Sequence, residues 1–89
     1  MSHISVASLE TALQQALAPT ALHIEDESWR HAGHAGASPT GGSHFFVRIS
    51  SPLFQSHSRI QQHRLVNQAL AGFFVQGLHA LRLETSASQ

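Results

Sequence analysis

The sequence predicts an α+β domain of two layers, a three-stranded mixed sheet with helices on one face. Three observations point there. Ile4 to Ala18 and Ser58 to Val75 carry the three-to-four-residue apolar spacing of amphipathic helices. Ala21 to Glu27, His44 to Ser50 and Leu78 to Thr85 alternate apolar with polar residues, the period of half-buried strands. Their order is helix, strand, strand, helix, strand, and a helix standing between the last two strands favours parallel pairing through a right-handed crossover. Two helices packed on one side of that sheet complete the layers.

Each element has a local reason. In the first helix Val6, Leu9, Leu13 and Leu17 form the stripe, Ser5 is the N-cap and Pro19 forces the stop. The first strand sets Leu22 and Ile24 against His23 and Glu25, and Trp29 follows its end. Arg30 to Ser43 holds four glycines, a proline and no large apolar side chain, which reads as a mobile loop. The second strand sets Phe45, Val47 and Ile49 against Phe46, Arg48 and Ser50, most simply antiparallel to the first. Pro52, Leu53 and Phe54 make one helical turn, with proline at the first position.

The main helix, Ser58 to Val75, is the organising segment. Its expected stripe is Ile60, Val66, Leu70 and Phe73, widened by Ala69 and Phe74, and Ser58 with Gln61 has the form of a capping box. His63 sits at the edge of the stripe, which reads as a buried side chain hydrogen-bonded to backbone. Gly77 ends the helix. The last strand should carry His79 on the face of Leu81 and Leu83. Residues 1–85 are read as a single domain and 86–89 as a frayed tail.

Composition narrows the function classes. An apolar share of 42% against 11% charged residues suits a small globular core. The absence of cysteine excludes disulfides and thiolate ligands from this chain. No apolar run reaches the ~20 residues of a membrane span, so a cytoplasmic chain with no membrane partner is expected. Zero formal net charge, with five arginines and no lysine, gives no strong footprint for nucleic acid. No nucleophile–base pair or phosphate-cradling glycine motif is present, so no enzyme activity is expected. Eight histidines are the unusual feature, and imidazole is a competent ligand for borderline metals.

The strings DESWRHAGHAG, SHFFVRISSPLF, QHRLVNQAL and LHALRLET resemble the BolA-like proteins from about Leu9 to Thr85. The resemblance implies a fold like the second type of KH domain, in agreement with the element order. It further implies a chain that is monomeric alone, pairs with a monothiol glutaredoxin and shares a 2Fe–2S cluster with it. By the same likeness His79 is the ligand of the last strand, and His31 or His34 is the ligand from the loop after the first strand, the choice between those two remaining open. Imidazoles replacing two thiolates on one iron raise the potential of such a cluster, and a chain without cysteine can supply only that nitrogen half. Some relatives are described as transcriptional regulators of stress responses and cell shape. The alternative is therefore a DNA-binding surface around Arg59, His63 and Arg64.

Four departures from the family pattern stand out. Gln62 replaces a usual arginine, Ser56 a common glycine, and Phe74 and Val75 frequent acidic residues; the last helix carrying a tryptophan is also missing. The first two weaken nucleic-acid binding. Phe74 with its neighbour Phe73 marks either an exposed apolar patch or a closure of the core. His3, His23, His44 and His57 are read as surface residues.

Overall fold

The structure is a computed structural model that describes residues 4–27 and 44–88. Helix α1 spans Val6–Leu17, strand β1 Ala21–Asp26, strand β2 His44–Ser51, a 3-10 turn Pro52–Phe54, helix α2 Arg59–Ala69, helix α3 Ala71–Gln76 and strand β3 Ala80–Ala87. The sheet order is β1-β2-β3, antiparallel between the first pair and parallel between the second. The expected α+β sandwich is therefore present.

Leu9, Leu13 and Leu17 of α1 are buried, as the stripe requires, and Ser5 caps the helix reciprocally with Ser8. The helix ends at Ala18, which takes a left-handed conformation (φ 45°) before Pro19. The carbonyl of Leu17 would be an orphan acceptor at that end. Buried Ser51 donates its hydroxyl to it and accepts from the Leu53 backbone, tying the helix end to the end of β2.

One sheet face carries Leu22, Ile24, Phe45, Val47, Ile49, Leu81 and Leu83, and it packs with α1, Phe54, Val66 and Leu70 into a single core. Phe45, Val47 and Ile49 are almost fully enclosed because β2 is the central strand.

The segment after the 3-10 turn departs from the expected single helix. Ser58 and Gln61 form the anticipated capping box, but the helix breaks at Leu70 (φ −106°, ψ 11°). The buried stripe is shorter than expected: Ile60 is 66% exposed and Phe74 40%, with Val75 at 90%. Phe74 therefore belongs to an exposed apolar surface and does not close the core. Gly77 (φ 123°) ends α3, and the Leu78 N–H reaching back to the Phe73 carbonyl turns Leu78 into the core.

Strand β3 begins and ends two residues later than the alternation suggests. Ser86 and Ala87 pair with Ser50 and Ser51, Ser50 and Ser86 join through their hydroxyls, and Ser88 bonds to Ser51 and Gln55. Residues 86–88 are thus part of the sheet edge, not a frayed tail, because the longer β2 extends the ladder for them. The described residues hold no helix long and apolar enough to cross a membrane.

Candidate metal centre at the histidine corner

The second sheet face is polar and internally paired. Arg48 donates through Nε and Nη2 to Glu84 at 3.1 and 2.9 Å. Arg82 forks onto Glu27 at 3.2 and 2.7 Å. Both guanidiniums lie over the Phe46 ring, at 5.4 and 4.1 Å from its centroid, and the His23 ring approaches it edge-on. Phe46 is buried under them although it points away from the core. Both arginine side chains stay more than half exposed while they make these contacts. The Glu27 carboxylate is almost fully enclosed, and the hydrogen bond it accepts raises the Arg82 pKa above its ordinary value.

At the head of this face, where β2 and β3 start side by side, the rings of His44 and His79 lie 5.1 Å apart at 53°. His79 stands one residue before β3 and is exposed. It escapes the strand's alternation, so it does not share the core-facing side of Leu81 and Leu83. His44 is 7% exposed, which corrects its reading as a surface residue. Its strand partner is Ala80, its carbonyl accepts from the Glu27 N–H, and a cavity of about 190 Å³ lies beside it, lined by Glu27, Arg82 and Leu81. Parallel pairing of the two strands was legible in the sequence; the register that sets His44 opposite Ala80, next to His79, was not. His31 and His34 lie outside the described residues.

Among the described residues no three His, Asp or Glu side chains converge as a set able to hold a metal ion. The corner brings two imidazoles together, one buried on a strand and one exposed.

The remaining candidates divide over α2. Arg59 and His63 line a cleft of about 300 Å³ with Leu83, Glu84 and Thr85. Arg64 lies in another of about 220 Å³, with His57, Gln61 and Leu65. The three residues thus line two separate clefts of the same helix. His63 is half-buried and makes no hydrogen bond among the described residues, so it is not the expected anchor. Its neighbour Gln62 is: Nε2 donates to the carbonyls of Phe54 and His57, and Oε1 accepts from Thr85.

The family model for BolA-like proteins matches residues 13–89. The chain belongs to the BolA-like family. BolA-like protein 1 of Mus musculus is 37% identical over 78 residues, covering 88% of this chain and 54% of that protein. SufE-like protein 1 of Arabidopsis thaliana is 41% identical over 75 residues, covering 80% of this chain but 20% of its own length. This BolA-like chain thus spans about half or less of these two relatives. The BolA domain of SufE1 from Arabidopsis thaliana superposes with a TM-score of 0.82 at 36% identity, covering 91% of this chain and 88% of that domain.

Proposed function

We propose that this BolA-like chain is an adaptor that pairs with a monothiol glutaredoxin and co-ligates a 2Fe–2S cluster in iron–sulfur trafficking or iron regulation. The observation that carries this reading is the His44–His79 pair at an exposed corner of a chain without cysteine. Imidazole nitrogens are the donors this chain has, and thiolates from the partner and from glutathione would complete the set. His79 is the outward ligand. His44 joins His31 and His34 as a candidate for the second position, with the advantage that β2 holds it. The cluster supplies the redox and iron-carrying chemistry when bound. The chain supplies nitrogen ligation and a surface for the partner, a binding role in which no side chain acts as a catalyst.

Anaerobic reconstitution with iron and sulfide tests this. The lone chain should stay colourless, and the mixture with a monothiol glutaredoxin should develop a visible charge-transfer spectrum. His79→Ala should shorten the lifetime of the shared cluster while the apo chain keeps its thermal midpoint. A stable spectrum from the lone chain, or a wild-type lifetime in His79→Ala, would refute the assignment.

The second reading is DNA binding through Arg59, His63 and Arg64. Arg59 and Arg64 have no acidic partner among the described residues, which favours it. Affinity for duplex DNA falling steeply as salt rises would support that reading.

A further inference from the structure

We infer that the outer edge of β3 is a docking site for an extended acidic peptide, which adds to the sheet as a fourth strand beneath α2. Strand β3 has eight residues, lies at the end of the sheet order, and among the described residues bonds to β2 on one side only. About half of its residues therefore turn both N–H and C=O outward. Edge strands are commonly blunted by proline, a bulge or outward charge. Here the strand ALRLETSA has no proline, and both its charges are drawn inward across the polar face, Arg82 to Glu27 and Glu84 to Arg48.

The cleft of about 300 Å³ runs along that edge between β3 and α2. Leu83 and Thr85 form its strand wall, and Arg59 and His63 form its helix wall. Arg59 is exposed and has no acidic partner among the described residues. Residues four apart on a helix advance ~6 Å, and alternate residues on a strand advance ~6.6 Å. An added strand with glutamate or aspartate at alternate positions would thus present its carboxylates in step with Arg59 and His63. Arg59 can fork onto one carboxylate, and the imidazole N–H can donate to the next. The hydrogen bond that Thr85 donates to Gln62 ties the helix to the strand behind the cleft. A peptide fits better than a nucleic acid because the cleft offers one guanidinium against a chain of phosphates, its Glu84 being already paired with Arg48. The main-chain edge also has a hydrogen-bonding pattern that only another strand matches.

The test uses the full chain, labelled with nitrogen-15 and titrated with a short synthetic peptide alternating glutamate and valine. Its lysine counterpart and a short single strand of thymidines are the comparisons. The expected result is shift changes along Ala80–Ala87, slowed exchange of the outward amides, and affinity falling about tenfold in Arg59→Gln. Arg59→Lys should fall between, since it keeps the charge and loses the fork. Undisturbed β3 amides, equal binding of the lysine peptide, or preferential occupation of the cleft by the thymidine strand would overturn the inference. Protection of the same amides by a concentration-dependent dimer of the chain alone would also overturn it. None of these readouts involves iron, so failure here leaves the proposed cluster role untouched.

Discussion

Gln62 is a single amide that joins three segments: the 3-10 turn through Phe54, the approach to α2 through His57, and β3 through Thr85. Replacing it with leucine would leave those carbonyls and the Thr85 hydroxyl without their partner, at a cost of about 1–3 kcal/mol. His63→Ala should change stability by less than about 0.5 kcal/mol, because the ring is half-exposed and unbonded among the described residues. Urea unfolding of the two variants would show the contrast. Ser56 is the second informative residue. It stands at φ 67°, in the left-handed region that a Cβ disfavours by about 1–2 kcal/mol. Part of that is returned by the greater freedom of glycine in the unfolded chain. Ser56→Gly should therefore raise the stability by about 0.5–1 kcal/mol, visible as a rise of several degrees in thermal midpoint.

At the scale of elements, two glycines in neighbouring turns should respond oppositely to alanine. Gly72 lies inside α3, where an added Cβ would meet no atom within 4 Å, so Gly72→Ala should stabilise by about 0.5–1 kcal/mol. Gly77 also has open space, but its φ of 123° is strained for any L side chain, so Gly77→Ala should destabilise by a comparable or larger amount. Paired thermal melts check the sign of each.

The same elements show what could be read from sequence and what could not. Leu9, Leu13 and Leu17, and the alternation through Phe45, Val47 and Ile49, reflect local periods that survive folding, so α1 and β2 were legible. The break at Leu70 was not, since the apolar spacing runs on through it. Ile60 stands six residues before Val66, which turns it off the buried face; Gln62, four before Val66, occupies that face instead. His44 was misplaced because its burial comes from Glu27 and the head of β3, contacts remote in the chain. Of the candidate site, His79 was found through family resemblance, and its ring partner depended on strand register.

For the molecule as a whole, the polar sheet face is one connected array from Glu84 through Arg48, Phe46 and Arg82 to Glu27, ending beside His44. Its pH dependence follows from Arg82. Hydrogen bonding to Glu27 raises the pKa of the folded guanidinium above the unfolded value, so its contribution is complete below that value and is lost only in strong alkali. The drop in thermal midpoint on Arg82→Gln should accordingly be the same at pH 7 and pH 10.

The parallel pairing of β2 with β3 has a consequence for how the corner comes into being. Contacts between residues distant in sequence form late, because the chain must first meet the entropy of closing the intervening crossover. His44 and His79 meet only across that ladder, so the two nitrogens should come together with the last cooperative step of folding and not before. In stopped-flow refolding of the apo chain, the ring-current signature of the pair should appear with the slowest phase that builds the sheet. An earlier appearance would mean that the corner assembles without its ladder. On this account the nascent chain has no preformed corner to offer a metal, and the donor pair becomes available only once the domain around it is complete.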